Sequence, residues 1–340
     1  MSLLSGFPIR IDQIRSDMDN PGLSDYEVSL LQIAEKITNG TVIDISYTGT
    51  TVLIRPGSII GGKFQHECSV SRGLGYYLEF LISLAPFSKN TVEATLFGVT
   101  NNSIDLSVDS IRTVTLPTLL HFGIDSNIEL LVKKRGAEPL GGGEVRFVCP
   151  AVRQIKNMIF TDKGYIKRIR GIAYSTRVSP QTANRVVEAA RSILNQFTPD
   201  IYLYTDAYKG KESGLSPGFG LTLVAESTTG ALISTELNGA AGMPSEDLGK
   251  ECAKQLLSEV CKGGCFDSYH QWLVLLMMTM STEDVSKTNF GKLNKFTIQY
   301  LRDLKTFFNV TFKIEPNNDD DSINITGVGI GHINVNKNVV

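Results

Sequence analysis

Apolar positions along this chain follow two periods that alternate with each other. Residues 8 to 15 (Pro-Ile-Arg-Ile-Asp-Gln-Ile-Arg) alternate between apolar and polar as a half-buried strand does, most regularly from Ile9 to Asp12. A loop through Asn20-Pro21-Gly22 follows. Ser24 then heads a run in which Leu30, Leu31, Ile33, Ala34 and Ile37 recur at helical spacing, closed by Gly40. Residues 42–47 and 51–55 read as two strands joined through Thr48-Gly49-Thr50. The order then repeats: a helix over 76–85, a strand over 91–99, a helix from Ser107 to Phe122 ended by Gly123, and strands over 128–133 and 144–149. Such alternation predicts an α+β fold with helices on one face of each sheet.

From about Arg168 the pattern changes. Ser179-Pro180 opens a helix to Phe197 with Ala183, Val186, Val187, Ala190 and Leu194 on one face. Strands over 201–205, 220–226 and 231–237 follow, then a helix from Ser245 to about Cys261, broken by Lys262-Gly263-Gly264. Residues 168–264 therefore read as a self-contained inserted α/β domain, with 1–167 and 265–340 forming a larger repeat domain. Two more helices (269–280 and 295–308) and two strands (310–315 and 323–329) close the pattern, and Asn317 to Asp321 read as a solvated hairpin connection rather than a metal site.

Composition describes an ordinary globular chain of 340 residues, 42% hydrophobic and 20% charged, with no apolar run long enough to cross a bilayer as a helix. Its five cysteines show no CxxC pair, so reduced thiols are expected and a metal site is not. Charge is where composition changes the picture. The net charge is −2, yet residues 131–177 hold eleven Lys or Arg against three acids, a local charge of +8 in a chain that is otherwise −10. A basic band of this kind points to a polyanionic partner. Lys133, Lys134, Arg135, Arg146, Lys167, Arg168 and Arg170 are its candidate contacts, for RNA phosphates or for an acidic segment of a protein; Tyr165 and Tyr174 interleave with them, as base-stacking or half-buried residues. Within the band, Arg135 precedes Gly141, Gly142 and Gly143. A cation followed by a loop without side chains is a candidate phosphate seat.

The segment Arg135-Gly-Ala-Glu-Pro-Leu-Gly-Gly-Gly-Glu-Val145 resembles the signature of the RNA 3′-terminal phosphate cyclase superfamily. So do, in order along most of the chain, Asn20-Pro-Gly-Leu23, Thr48-Gly-Thr-Thr51, Arg55-Pro-Gly57 and Gly98-Val-Thr-Asn-Asn102. The resemblance implies three βαβαββ-type repeats with a smaller α/β domain inserted before the last. It also implies that an initial strand and helix, which normally precede a stretch like Ser5-Gly-Phe-Pro8, are missing, so that the chain is expected to be truncated.

Family cyclases attack ATP with a histidine in a stretch corresponding to Asn294–Gln299, where this chain has none. Its histidines are His66, His121, His270 and His332. No Gln occurs between Gln65 and Gln154, where the family places one on the helix after a glycine-rich turn, and Glu27 stands near where a family histidine is absent. A nucleotidyl-histidine cannot form without the imidazole, so cyclase activity is not expected. None of the four histidines is assigned to catalysis; His66 reads as a loop histidine and His270 as a packing or helix-start residue.

Cys68-Ser-Val-Ser-Arg-Gly-Leu-Gly-Tyr-Tyr77, Leu84-Ala-Pro-Phe-Ser88, Lys167-Arg-Ile-Arg-Gly171, Ala173-Tyr-Ser-Thr-Arg-Val-Ser-Pro180 and Ser213-Gly-Leu-Ser-Pro-Gly-Phe-Gly220 are similar to the non-cyclase branch of the superfamily. That resemblance implies a nuclear, nucleolar factor for the small (40S) ribosomal subunit, without a cofactor or a membrane. It would act in early pre-rRNA processing as the docking partner of a ribosome-assembly GTPase, within the snoRNA-containing small-subunit processome, and would be a monomer outside that complex. The alternative is an endoribonuclease using Arg302, Asp303 and Lys305. Ile298, Leu301, Leu304 and Phe308 are the expected buried stripe of that helix, with Arg302 and Lys305 beside it and Asp303 on the more exposed side.

Overall fold

A computed structural model describes the chain from residue 1 to 340 except 125, 126, 241, 318–320, 336 and 338–340. The expected hairpin connection at Asn317 to Asp321 therefore lies partly outside the described residues. Sheet pairing exposes a repeated plan. In one four-stranded sheet, Gly62–Glu67 runs parallel to Val92–Gly98, which pairs antiparallel with Gly143–Cys149, which in turn pairs antiparallel with Glu129–Lys134. A second sheet has the same order: Ile159–Phe160 parallel to Val285–Phe290, then Ile323–Val328 and Lys313–Pro316 antiparallel. The N-terminal sheet carries the last three members of the plan, Ile9–Ile11, Val52–Arg55 and Val42–Ile45. Helices Asp25–Ile37, Leu74–Leu84, Gln271–Met280 and Lys295–Phe308 fill the corresponding connections.

Helix Asp25–Ile37 starts where the sequence says it must. Ser24 and Glu27 form a reciprocal capping box, with the Glu27 carboxylate accepting the Ser24 N–H at 2.8 Å. Arg15 also pairs with Glu27 and donates to the Gly22 carbonyl at 3.0 Å. To do so the chain turns through positive φ at Gln13 and Arg15, which ends the first strand at Ile11 rather than at residue 15. Removing the cap with Ser24→Ala should cost about 1 kcal/mol, read as a shift in the urea midpoint at constant slope.

The inserted unit has its own four-stranded sheet, in the order Ile201–Tyr208, Ile166–Thr176, Gly218–Ser227, Leu232–Asn238. Helices Pro180–Leu194 and Ser245–Cys261 cover one face and build a separate core around Ala183, Val186, Leu223 and Leu256. Its central strand begins at Ile166, and the strand ahead of it, Ile159–Phe160, already belongs to the last sheet of the large domain. The insertion thus leaves the chain after the first strand of the last repeat rather than ahead of that repeat. Three of the longer strands escaped the periodicity: Gly62–Glu67, Ile166–Thr176 and Val285–Phe290. Each carries Lys, Arg, Gln, Asn or Ser at alternate or consecutive sites, which obscures the period of two. All five cysteines are free thiols, four of them buried.

Candidate functional site

Arg135 occupies the junction between the large domain and the inserted unit, and it is fully buried. Its guanidinium grips Asp109 through two bonds of 2.6 and 3.0 Å, donates to Asn101 Oδ1 at 3.1 Å, and reaches Asp206 of the inserted unit at 2.9 Å. The rings of Tyr174 and Tyr208, also from the inserted unit, lie 4.9 and 5.4 Å from it. Burial opposes the charge on Asp109, but the guanidinium outweighs it and holds the carboxyl below its usual range. Arg135 is therefore a buried fastener and not an exposed hook for an anion.

The glycine loop is likewise occupied. Gly214 N–H donates to the Arg135 carbonyl at 2.6 Å, Leu215 N–H donates to the Gly141 carbonyl at 2.9 Å, and Arg135 N–H donates to the Glu212 carbonyl at 3.2 Å. Gly142 has φ +79, and a Cβ there would meet Leu215 Cγ at 2.9 Å and Leu215 N at 3.1 Å. A Cβ on Gly141 would lie 2.9 Å from the Gly98 backbone, and one on Gly143 2.6 Å from Thr100. The side-chain-free surface expected to seat a phosphate instead admits the backbone of residues 212–215 and of residues 98–100.

Five further cations of the band pair with acids, four of them with acids from outside residues 131–177. Lys133 pairs with Glu144 at 2.8 Å, Arg146 with Glu93 at 3.1 Å and Arg170 with Asp200 at 2.8 Å. Lys167 and Arg168 share Glu226, at 3.1 and 2.6 Å. Lys134 is exposed and forms no ion pair with a described residue. The excess of +8 counted along the chain is thus offset in part by Asp109, Asp206, Glu93, Glu226 and Asp200, all from outside the band. Tyr165 is 85% exposed, whereas Tyr174 is buried beside Arg135.

His66 lies in strand Gly62–Glu67, not in a loop, and is buried. Its Nε2 meets Ser29 Oγ at 2.8 Å and its Nδ1 meets Lys36 Nζ at 2.9 Å. Burial, and then the Lys36 charge, lower its pKa, so it is held neutral. His270 sits at the head of helix Gln271–Met280, with Nδ1 on Asp267 at 2.6 Å and Nε2 on Thr115 Oγ1 at 2.8 Å. Both ring nitrogens are engaged by protein groups and the ring is buried, so neither nitrogen faces a substrate. His121 stacks on Phe160 and His332 packs edge-on against Phe87.

In the stretch corresponding to the family nucleophile, Asn294 caps helix Lys295–Phe308 by accepting the Thr297 N–H at 2.7 Å. On that helix Arg302 and Lys305 are exposed, but Asp303 is partly buried, accepts from Gln299 at 3.0 Å, and faces an apolar groove with Tyr300 and Phe307. This reverses the expected exposure of Asp303, because the helix packs with Thr297 and Leu304 innermost and leaves Ile298 41% exposed.

Between the two domains lies a cleft of about 270 Å³ lined by Arg72, Glu79, Asn102, Asp105, Glu236 and Tyr269, among others. Arg72 is committed to Asp105, with Nε 2.9 Å from both carboxylate oxygens. Glu236 accepts the Ser107 N–H at 2.8 Å and the Ser110 hydroxyl at 2.6 Å, at the start of the helical segment after residue 107. Burial raises the Glu236 pKa against these bonds. Glu79 makes no hydrogen bond or ion pair with a described residue, and burial pushes its carboxyl up to about 7. Among the described residues no group of three His, Cys, Asp or Glu could hold a metal ion. Sequence reasoning met Glu79 only as the end of the stretch Arg72-Gly-Leu-Gly-Tyr-Tyr-Leu-Glu79, which stands where the family places a Gln, and passed over Glu236, which belongs to no motif. The one available signal was the Gln absent from the helix that carries Glu79, Leu74–Leu84.

This architecture defines a class: α+β repeats around an inserted α/β unit, with a glycine-rich seam between them. The sequence profile of the RNA 3′-terminal phosphate cyclase family matches residues 1–314. The chain is 53% identical to the RNA 3′-terminal phosphate cyclase-like protein of Mus musculus, covering 99% of this chain and 94% of the relative. It is 49% identical to a probable RNA 3′-terminal phosphate cyclase-like protein of Dictyostelium discoideum, covering 98% and 94%. It is 44% identical to an rRNA processing protein of Schizosaccharomyces pombe, covering 100% and 94%. The chain belongs to the RNA 3′-terminal phosphate cyclase family, and its similarity to the cyclase-like proteins extends over nearly its whole length.

Proposed function

We propose that this protein is a non-cyclase factor in rRNA processing. Full-length similarity to the S. pombe rRNA processing protein and to the cyclase-like proteins supports that role. The observation that carries the non-cyclase part is local: the family nucleophile stretch holds an asparagine helix cap, and His270 has both nitrogens bonded. In this reading the protein works in the nucleolus on the small ribosomal subunit. It docks a ribosome-assembly GTPase within the processome and is a monomer outside it. The surface that remains after internal pairing, including Lys134, Arg302 and Lys305, is where polyanionic partners would add contacts.

A second reading, pre-rRNA cleavage at Arg302, Asp303 and Lys305, draws on two exposed cations beside one carboxylate on a single helix. One experiment separates the two. Purified protein and the Arg302→Ala/Asp303→Ala/Lys305→Ala variant are incubated with a pre-ribosomal RNA fragment, and both are tested for capture of the GTPase. The docking reading expects capture by the wild type and no cleavage by either protein. Cleavage by the wild type that is abolished in a folded triple variant would install the nuclease reading instead.

A further inference from the structure

The cleft between the domains continues into a second depression. Glu79 and Tyr269 line both. The second depression, about 460 Å³, is walled by Phe80, Trp272, Phe296 and Tyr300. Phe296 is 60% exposed and stacks on Tyr300 with ring centroids 5.8 Å apart; Tyr269 is 50% exposed. Exposed aromatics around a concavity are the usual lining of a peptide site. Here the aromatic trough leads directly to Glu79, a carboxyl group that makes no hydrogen bond or ion pair with a described residue.

The sign of the cleft is set by subtraction. Arg72 is consumed by Asp105, which leaves Glu79 and Glu236 as the carboxyl groups on the lining without an ion-pair partner among the described residues. Glu236 is at least hydrogen-bonded, to Ser107 and Ser110. Glu79 is not. Glu79 is partly buried on the cleft wall, so ionising it carries a desolvation cost that a cation entering the cleft would offset. A phosphate group entering the same space would meet two carboxylates, so the cleft selects against nucleotides and for guanidinium or ammonium groups.

Resting on the docking reading above, we infer that this groove binds a peptide segment of a protein partner in which an apolar side chain, seated on Trp272 and Phe296, is followed by a basic side chain directed at Glu79 and Glu236. Charge complementarity fixes the basic residue, and the trough adjoining it fixes the apolar one. The binding is proton-linked through Glu79. The groups that face it are Arg72 and Asp105 from the neighbouring loops, Glu236 from strand Leu232–Asn238 and His270 from the head of helix Gln271–Met280. Deprotonation of Glu79 should strengthen association as pH rises through about 7.

Trp272 is the sole tryptophan of the chain and lies in the trough, so its emission reports directly on occupancy. The full chain is titrated with N-acetyl-leucyl-arginine amide, with the neutral isostere N-acetyl-leucyl-citrulline amide, and with ATP. Saturable binding of the arginine peptide near about 1 mM is expected, a level usual for so small a ligand. Citrulline should bind roughly tenfold more weakly or worse, and ATP should not displace the arginine peptide. Glu79→Gln should weaken the arginine peptide by a similar factor and flatten its pH dependence. Because Glu79 has no described partner to lose, that variant keeps its fold. Equal affinity for arginine and citrulline, unchanged binding by Glu79→Gln, or competition by ATP would each overturn the inference. Should the arginine peptide fail while the GTPase is still captured, the groove assignment falls and the docking reading stands.

Discussion

Arg135→Ala is expected to destabilise the protein by about 3–5 kcal/mol, the range for removing one partner of a buried ion pair. The cost is mainly that of what stays behind. Asp109 is fully buried and among the described residues would retain no cation but Arg112, whose Nη2 is 3.7 Å away. Tyr174 and Tyr208 would also lose the guanidinium packed against them. Lysine cannot rescue the site, because an ammonium group cannot reproduce the forked contact with Asp109 while also reaching Asn101 and Asp206. Arg170→Ala makes the control: its pair with Asp200 is half exposed and should be worth about 0–1 kcal/mol. Urea unfolding of the two variants should therefore differ by several-fold, and similar small losses in both would refute the fastener role.

The same pair sets a pH window. The Asp109 carboxyl is depressed in the folded state, so its contribution is complete above the ordinary carboxylate pKa of about 4. It is lost as pH falls below that value through the lowered folded pKa. From about pH 5 to about pH 8 this pair should leave stability flat.

Glu79→Gln should move stability in the opposite direction. The folded carboxyl titrates at about 7, against an ordinary glutamate value of 4.5. A raised acid pKa means that the native state binds the proton more tightly than the unfolded chain does. The two states are equal below about pH 4, and the penalty grows as pH rises from there to about 7, where it becomes complete. Each pH unit between those limits costs about 1.4 kcal/mol, and water in the cleft screens part of it, so the penalty at pH 8 is about 2–3 kcal/mol. Glutamine removes it, so the variant should be more stable than the wild type at pH 8 and nearly equal to it at about pH 4. A variant less stable at the higher pH would show that Glu79 makes a favourable contact. A residue held against such a cost is consistent with a ligand that neutralises it, which links this measurement to the peptide titration.

Helices were the most legible part of the sequence. Ser24, and Ser179 with Pro180, are local signals, and the helices begin at those residues. Strands with clear alternation, such as Val92–Gly98 and Gly143–Cys149, were legible for the same reason. Strand Ile166–Thr176 was not, although it is the spine of the inserted sheet. Its outward face carries Arg168 and Arg170, whose polarity is offset by Glu226 and Asp200, and no local pattern reveals a pairing made 58 or 30 residues away. Asp303 was misplaced because the helix packs through Thr297 and Leu304 rather than through the whole apolar stripe.

The sequence by itself determined the family, the order of helices and most strands, and the loss of the nucleophilic histidine, because capping, periodicity and the presence of an imidazole are local properties of the chain. What the Arg135 and glycine motif does was decided only in three dimensions. Charge counted along a chain ignores where folding brings the opposite sign, and here folding brings Asp109, Asp206, Glu93, Glu226 and Asp200 to the basic band. Folding likewise fills the side-chain-free loop with backbone from residues 212–215. It also leaves Glu79, inconspicuous in the sequence, as the one cleft carboxylate without a described partner.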